Sequence, residues 1–252
     1  IANDEQFLTP TSFIQSTHNT VAAQIALYLQ CKAYNFTYVN GGNSFESALF
    51  DAFLQIKHLQ KQTILVGGVD EMAPYTMSVY SLIDKVKREG AAIDFKQPTT
   101  KGIAYAEGAT FFTLSDKKTE KTFAEVLDVM VFNAFNEDEQ VTIEGFLKRS
   151  NLTIDEIDVV VFGVNADVQQ QAFYDQLRSL FQENAQAYYQ HISGSYDTAS
   201  AFGLKVAAEM VSRQKYPVNI QYNEIQPEEI GKVLLINQLN NTDFSFVLVS
   251  KC

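Results

Sequence analysis

Nucleophiles and bases are scarce in this chain of 252 residues, which contains two cysteines and three histidines. A cysteine thiolate or an activated serine accepts an acyl group efficiently only when a base lies within hydrogen-bonding reach. Cys31 ends an apolar helical stretch and has no histidine near it in sequence, which favours simple packing over catalysis. Cys252 is the last residue of the sequence, where we expect exposure.

Serines close to a histidine are the second candidate for nucleophilic chemistry. Ser193 and Ser195 flank a glycine, and His191 precedes them. The hydrolase elbow requires Gly-x-Ser-x-Gly, and Asp197 stands where its second glycine would be. An acid–base pair of His191 and Asp197 is an alternative, but the strand that carries His191 is expected to end at Gly194, which favours a locally hydrogen-bonded histidine.

Cofactor and metal sites are not indicated either. Gly67-Gly68 follows an apolar run, yet no third glycine opens a helix after it, so the pair is typical of a turn at the end of a strand. No cluster of His, Cys, Asp and Glu has the spacing of metal ligands. We predict a protein that works without a metal or an organic cofactor.

Charge and composition exclude several classes of protein. Acidic residues outnumber basic ones 30 to 19, for a net charge of -11, so nucleic acid is not an expected ligand. Two cysteines cannot build a disulfide framework, and no apolar run approaches the ~20 residues that span a bilayer. We expect a cytoplasmic protein that contacts neither nucleic acid nor membrane.

The elements that must position any site alternate between short apolar strands and amphipathic helices, the pattern of an α/β fold. Residues 159–162 are apolar throughout, as in strands covered on both faces. In one helix Phe45 and Leu49 recur at helical spacing, and Asn43 followed by Glu46 predicts a capping box. We predict strands at Tyr34–Asn40, Thr63–Gly67, Gly108–Leu114, Ala124–Phe132, Asp158–Gly163, Lys232–Asn237 and Phe244–Ser250. We predict helices at Thr20–Gln30, Ser44–Leu59, Ile143–Ser150, Val168–Phe181 and Thr198–Arg213.

The polar segment Asp116–Lys121 divides the chain into two parts that carry strands and helices in a similar order. We therefore predict an N-terminal half over residues 1–118 and a C-terminal half over residues 119–252. The segment does not have the composition of a flexible linker, so we expect the halves to pack as one compact unit.

Several segments, in order and at consistent spacing, are similar to motifs of one enzyme family. They are Thr9–Phe13 with Asn19–Ala26, Tyr38–Ser44, Ile64–Glu71, Gly102–Ala109, Ile157–Gly163 and Ser193–Ser195. Together they resemble the β-ketoacyl synthases, the condensing enzymes of fatty-acid and polyketide assembly. The resemblance implies a thiolase-like α/β fold, layered αβαβα with mixed sheets. The family has further elements before the segment that matches Thr9, so we expect an incomplete N-terminal half with a sheet edge to be covered.

The residues that such an enzyme needs for condensation are not found at the matching positions. The family's cysteine, held at a helix N-terminus that stabilises its anion, aligns with Gly42, which has no side chain to acylate. The first histidine, in a His-Gly-Thr motif, aligns with Phe162. The second histidine aligns with Ser195, and a nearby lysine aligns with Gln190. The resemblance therefore implies a catalytically degenerate member of the family, a pseudoenzyme.

A further group of residues is expected to line the former pocket. The family's Gly-Phe-Gly-Gly loop, which gates the pocket and supplies a backbone donor, is matched by residues 238–241, without its glycines. The resemblance implies that bulky Phe45, Phe162 and Leu239 fill or narrow the pocket. Its other lining residues are expected to be Asn43, Ser44, Asn165 and Ser193.

This pattern resembles the chain length factors, synthase-like subunits that lack the nucleophile and help to set product length. It implies a heterodimer with an active ketosynthase, in which this chain shapes the acyl tunnel and meets acyl carrier protein. The Tyr34–Asn40 strand would pair across a two-fold axis through Tyr34, Phe36 and Tyr38. The Phe45–Leu49 stretch is also similar to synthase-type proteins of bacterial aryl polyene and flexirubin-like pigment pathways.

Two alternatives stay open. As an acyltransferase, the chain could act as a 3-oxoacyl synthase or malonyl decarboxylase through a non-standard site, with Asn43, Ser44 or Asn165 polarising a carbonyl. It could also be a homodimeric scaffold that holds an acyl or lipid ligand in the vestigial pocket. A covalent acyl adduct would favour the first alternative, and a bound ligand would favour the second.

Overall fold

The computed structural model describes Ile14 and residues 16–252, which fall into two compact units, Ile1–Val39 and Asn40–Cys252. The predicted motif at Thr9–Phe13 lies outside the described residues. No described helix is long and apolar enough to cross a membrane.

The first unit contains helix α1 (Thr20–Tyr28), which ends earlier than predicted. The predicted strand at residues 34–40 is not formed, because no described strand pairs with this segment and a strand exists only through such pairing. The side-chain amide of Asn35 donates to the carbonyl oxygen of Ala22 at 3.0 Å, which folds the segment back onto the helix. The prediction that Cys31 packs is also wrong, since Cys31 lies beyond the helix end and is exposed.

The second unit contains two sheets that are separated in sequence by the segment 116–121. The first sheet pairs β1 (Thr63–Asp70) with β2 (Gly108–Ser115) in antiparallel register. The second sheet has the order β3-β7-β6-β4-β5, in which β4 is parallel to its two neighbours and β7 is antiparallel to its own. Its strands are β3 (Glu125–Phe132), β4 (Val159–Phe162), β5 (Ala185–Tyr188), β6 (Lys232–Leu239) and β7 (Asp243–Ser250). A domain boundary at residues 118–119 stays a prediction.

Six described helices complete the second unit. α4 begins earlier than the predicted Ile143, because the Asp138 side chain accepts from Gln140 N at 2.9 Å and caps the helix. The sequence patterns do not predict α3 or the short α6. The helices are α2 (Ser44–Leu59), α3 (Pro74–Leu82), α4 (Glu139–Lys148), α5 (Val168–Leu180), α6 (Gln190–Ser193) and α7 (Ser200–Arg213).

Two of these helices form a central layer, because α2 and α7 contact strands of both sheets. Their apolar side chains join one face of the five-stranded sheet in the larger buried cluster. The other face of that sheet packs against α4 and α5 in a second cluster. Stacked layers of helices and mixed sheets confirm the predicted α/β architecture.

The capping box predicted at the start of α2 is wrong. Asn43 is the N-cap residue, but its side chain makes no cap hydrogen bond, and Glu46 is buried in the core instead. A capping box forms later in the chain, where Thr153 and Glu156 cap a 3-10 turn. Burial against the strands therefore overrides the local capping preference of Glu46.

The turn between β6 and β7 is short. Asn240 and Asn241 have φ values of 57° and 56°, a left-handed conformation that asparagine tolerates better than most residues. Thr242 N donates to Leu239 O at 3.2 Å and closes the turn. The register then pairs Leu239 with Asp243.

Candidate functional site

The turn that enters α2 is where the sequence places the lost nucleophile. A 3-10 turn, Gly41–Asn43, runs directly into the helix. Ser44 Oγ donates to Gly41 O at 2.7 Å and accepts from Asn40 N at 2.8 Å, which closes the turn. Gly41 has a φ of +53°, in the region that favours glycine. Gly42 therefore lies at a helix N-terminus, where free N–H groups favour negative charge.

Leu239 occupies the space that a side chain at Gly42 would need. A Cβ atom on Gly42 would lie 2.6 Å from Leu239 Cβ and 3.0 Å from Leu239 Cδ2. Because the closest approach is to the Cβ atom, a change of rotamer at Leu239 cannot relieve it. Leu239 is buried and packs with Val86 and Ile103 in a small apolar cluster. The space beside Gly42, where the sequence predicts the nucleophile's position, is thus filled by the last residue of β6.

The side chain of Asp243 is hydrogen-bonded to a backbone N–H of the same turn. Asp243 Oδ2 accepts a hydrogen bond from Gly42 N at 2.9 Å. In a condensing enzyme, a donor at this position would stabilise a negative oxygen that develops during acyl transfer. The Asp243 carboxylate satisfies this donor and repels a second negative charge.

Two further aspartates make the surroundings negative. Asp70 Oδ2 accepts from Thr198 N at 2.9 Å and from Thr198 Oγ1 at 2.5 Å, just before α7 begins. Burial raises the pKa of Asp197; Lys85 opposes this rise, whereas the charges of Asp70 and Asp243 add to it. The site is therefore a poor environment for a thiolate or an enolate.

Gln190 and Ser195, the residues matched to a lysine and the second histidine, lie together. Ser195 Oγ donates to Gln190 Oε1 at 2.5 Å, and Gln190 Nε2 donates to Tyr189 OH at 3.4 Å. Both side chains are buried, and neither carries a charge. The pair can hold structure together, but it cannot supply a proton to a reacting group.

Phe162, the residue matched to the first histidine, is not brought to this site. Successive side chains of a strand face opposite sides, so Val161 joins the central cluster and Phe162 joins the outer one. The Phe162 ring centroid lies 6.3 Å from that of Phe181. The next residue, Gly163, faces inward, and a Cβ atom there would lie 2.3 Å from Asn237 Oδ1.

Among the other predicted lining residues, Asn43, Ser44 and Phe45 lie at the start of α2. Asn43 is buried and its Nδ2 donates to Phe132 O at 3.2 Å, while its Oδ1 has no partner in the described part of the chain. The hydroxyl of Ser44 is engaged in the two hydrogen bonds that close the turn before α2. The Phe45 ring packs 6.0 Å from Phe112 of the first sheet, between centroids, and so belongs to the core.

Asn165 and Ser193 are engaged in local hydrogen bonds. Asn165 Nδ2 donates to Gln170 Oε1 at 2.9 Å, and Asn165 Oδ1 accepts from Asp167 N at 3.1 Å. Ser193 Oγ donates to Gly194 O at 2.8 Å. Neither side chain is directed at Gly42 by these bonds.

His191 lies on α6 and not on the predicted strand. Its ring centroid is 4.0 Å from that of Tyr188 and 6.2 Å from that of Phe95. Burial lowers the pKa of His191, the Asn219 backbone opposes this change, and the charge of Lys96 adds to it. Its surroundings are those of an aromatic cluster and not of an acid–base pair.

Glu46 is the buried residue at this site that sequence patterns miss. It lies on α2 one turn after Gly42, and its Oε1 accepts from Ser245 Oγ at 2.7 Å and from Asn237 Nδ2 at 3.2 Å. Burial raises the pKa of Glu46, against the lowering effect of these hydrogen bonds. An acidic residue one turn before Leu49, in the apolar stripe of the helix, is the signal that could have revealed it.

The register of β6 and β7 orders these contacts into two layers. Leu239 pairs with Asp243, and both face the turn at Gly42; we call them the elbow pair. Asn237 pairs with Ser245, and both contact Glu46; we call them the inner pair. Among the described residues, no group of three or more His, Cys, Asp and Glu side chains is arranged to hold a metal ion.

A match to a family model covers more than half of the chain. Residues 1–137 match the model described as "Beta-ketoacyl synthase, N-terminal domain". The chain belongs to the β-ketoacyl synthase family. No curated protein matches its sequence. The resemblance found in the motifs is thereby confirmed.

Solved structures of β-ketoacyl synthases share the fold. For a β-ketoacyl synthase from Burkholderia phymatum, the TM-score is 0.76 at 15% identity, over 97% of this chain and 68% of that chain. For the ishigamide ketosynthase/chain length factor, the TM-score is 0.81 at 14% identity, over 100% and 69%. For a ketosynthase in complex with its chain length factor from Xenorhabdus doucetiae, the TM-score is 0.78 at 13% identity, over 95% and 66%. The chain thus spans about two thirds of their length, and the predicted thiolase-like fold is confirmed.

Proposed function

We propose that this chain is a non-condensing β-ketoacyl synthase-like subunit that pairs with an active ketosynthase. In the pair it would shape the acyl tunnel during chain elongation of the fatty-acid or polyketide type. Similar structures are described as ketosynthases with a chain length factor, and another as a ketosynthase with an acyl-carrier protein. An active ketosynthase and an acyl carrier protein are the partners that we propose here.

The observation that carries this proposal is the filled turn at Gly42. Acyl transfer to a synthase needs a nucleophile, room for the acyl group beside it, and a free donor for the negative oxygen. Gly42 supplies no nucleophile, Leu239 occupies the room, and Asp243 accepts from the donor. Restoring any one of these features would leave the other two missing.

The residues around the second histidine position support the same conclusion. Decarboxylation of a malonyl group leaves an enolate that needs a positive or strongly polarising partner. Gln190 and Ser195 satisfy each other, and the Asp243 carboxylate accepts from the backbone donor of the turn. A neutral, self-paired site suits a structural role.

The segment before the turn supports pairing with another chain. Tyr34 and Phe36 are 58% and 60% exposed, and their rings stack with centroids 6.0 Å apart. The Phe36 and Tyr38 rings follow at 5.0 Å. Exposed aromatic residues are enriched in protein interfaces, and an extended segment can become a strand when a partner supplies the hydrogen bonds. We propose that residues 34–40 form the interface strand in the heterodimer.

Co-expression with ketosynthases from the same gene neighbourhood tests the pairing. We expect a stable one-to-one complex, lost on the double substitution Tyr34→Ala and Phe36→Ala. Tyr75→Ala, which removes an exposed aromatic residue from α3, is the matched control and should leave the complex intact. Recovery of the chain as a free monomer, together with unchanged product length when its gene is deleted, would contradict the proposal.

Intact-mass analysis tests the missing chemistry. After incubation of the chain with acyl and malonyl carrier protein, we expect no acyl adduct and no release of carbon dioxide. An adduct would favour a non-standard site at Asn43, Ser44 or Asn165. A lipid that stays bound to a homodimer in native mass spectrometry would favour the scaffold.

A further inference from the structure

Beneath the turn at Gly42 lies a carboxyl group with one oxygen unpaired. Glu46 is fully buried, and both donors of the inner pair reach its Oε1 atom. Within the described residues, Glu46 Oε2 and Ser200 Oγ are buried and have no hydrogen-bond partner. The two side chains are neighbours, since the Ser200 hydroxyl is among the groups that lower the Glu46 pKa against the effect of burial.

No positive charge compensates this carboxyl group. α7, β6 and β7 contribute only the uncharged side chains of Ser200, Asn237 and Ser245 to it. The titratable groups that it influences are the hydroxyls of Tyr174 and Tyr189, both buried and uncharged at neutral pH. Across residues 16–252, no Lys, Arg or His forms an ion pair with Glu46.

Burial without a nearby cation raises the free energy of a carboxylate, so the neutral acid is the more stable form. The Ser200 hydroxyl does not decide the protonation state, because it can donate to a carboxylate or accept from a carboxylic acid. The complete burial of Glu46 and the missing ion pair favour its protonated form. A proton on Oε2 removes the charge and gives Ser200 Oγ a donor.

We propose that Glu46 is protonated at neutral pH and acts as a proton-dependent latch, holding α2 to Ser200 of α7 and to the inner pair. The latch lies one helical turn below Gly42, so its release would loosen the N-terminus of α2 and the contacts of the elbow pair. This inference is independent of the proposed pairing with a ketosynthase.

The direction of the pH dependence follows from linkage. With a folded pKa above the ordinary value of 4.5, the folded state holds a proton that the unfolded state has already released. The stabilisation is complete below that ordinary value and is lost as pH rises towards the folded pKa. The equilibrium constant for unfolding should rise by up to about tenfold per pH unit across this window.

The closest test is Glu46→Gln, because an amide reproduces the one acceptor and one donor of the protonated acid. We expect this variant to fold and to lose the alkaline rise in unfolding, measured by urea titration between pH 5 and 9. Glu183→Gln, at an exposed position, should keep the wild-type profile. Identical pH profiles for wild type and Glu46→Gln would overturn the proposal.

Infrared difference spectroscopy observes the proton directly. At neutral pH the wild type should show the carbonyl stretch of a buried carboxylic acid, absent from Glu46→Gln. If Glu46→Gln does not fold, Ser200→Ala decides the matter, because it removes the acceptor and should move the band to higher frequency. The lack of a protonated band in wild type, or a band that Ser200→Ala leaves unmoved, would show that the latch does not exist.

Discussion

The elbow pair and the inner pair are neighbours on one hairpin, yet they close the helix N-terminus by different means. The elbow pair places a leucine where a side chain would be and a carboxylate on the free backbone donor. The inner pair instead surrounds a buried carboxyl group with polar donors. The first is steric and electrostatic exclusion, and the second is a hydrogen-bonded core. The difference teaches that the groups beside and beneath Gly42 are used for packing and hydrogen bonding within the chain, by steric and charged contacts in one layer and by neutral donors in the other.

The largest expected effect is on the elbow pair, from Gly42→Cys. The new side chain collides with Leu239, and overpacking of this kind costs about 2–3 kcal/mol of unfolding free energy. Urea denaturation measures the loss. Adding Leu239→Gly to Gly42→Cys should recover part of it, because glycine removes the Cβ atom that the new side chain meets.

The matched control for this substitution is Gly145→Cys. Gly145 lies in α4 with nothing within 4 Å of a Cβ atom, so we expect little change in stability. If Gly42→Cys is as stable as Gly145→Cys, and its thiol reacts readily with an alkylating reagent, the space beside Gly42 is open and our description of the elbow pair is wrong.

A smaller effect is expected on the inner pair, from Asn237→Ala. The change leaves Glu46 with one donor fewer and removes the acceptor of Tyr189 OH, a bond of 2.7 Å. The cost should be about 2 kcal/mol, because these groups are buried and cannot reach water. Asn133→Ala, which removes an exposed hydrogen bond to Thr242, should cost much less. Equal losses in thermal or urea unfolding would mean that the inner pair is not a buried hydrogen-bonded core.

The charge of the elbow pair is tested by Asp243→Asn. An amide oxygen can still accept from Gly42 N, but the bond is no longer assisted by charge at the helix N-terminus. We expect a loss of about 1 kcal/mol, reduced at high salt. Asp116→Asn, in an exposed turn, is the control and should show no such salt dependence. A variant as stable as wild type at low salt would show that Asp243 contributes through shape alone.

The smallest effect concerns a titratable group outside both pairs, His191. Because its folded pKa is below the ordinary 6.5, its contribution is present above that pH and is lost on acidification. For His191, the free energy of unfolding therefore rises with pH, whereas the contribution of Glu46 makes it fall with pH. His191→Phe should therefore lose less stability than wild type between pH 7 and 5, whereas exposed His58→Phe should follow wild type. If His191→Phe follows the wild-type curve, the pH dependence in this range arises elsewhere.

Much of the fold can be predicted because its central elements carry strong local patterns. α2 has the bounds that the sequence predicts, since apolar residues recur along it at helical spacing. β4 and β6, which carry the continuously apolar runs 159–162 and 233–236, also pair with a strand on each side within the sheet. β5 escapes prediction because Ala-Gln-Ala-Tyr lacks β-branched residues, and its pairing with β4 holds it in the sheet.

Residues of the candidate site can be predicted from the sequence only where they lie within a motif. The order of motifs predicts that Gly42 stands at the nucleophile's position and that Leu239 lies in the gating loop, and both stay predictions. It does not reveal Asp243, which binds Gly42 across 201 residues of sequence, or the burial of Glu46. Both depend on the strand register, and a motif does not carry that information.

The turn at Asn240 and Asn241 limits how this protein could be re-engineered. Leu239 and Asp243 are the residues that close the hairpin, so neither can leave the helix N-terminus without reshaping the tip of that hairpin. Adding a thiol at position 42 is therefore not a route to a thioester-forming variant by itself. A designer would first graft a longer, glycine-bearing tip between residues 239 and 243, and introduce the nucleophile afterwards.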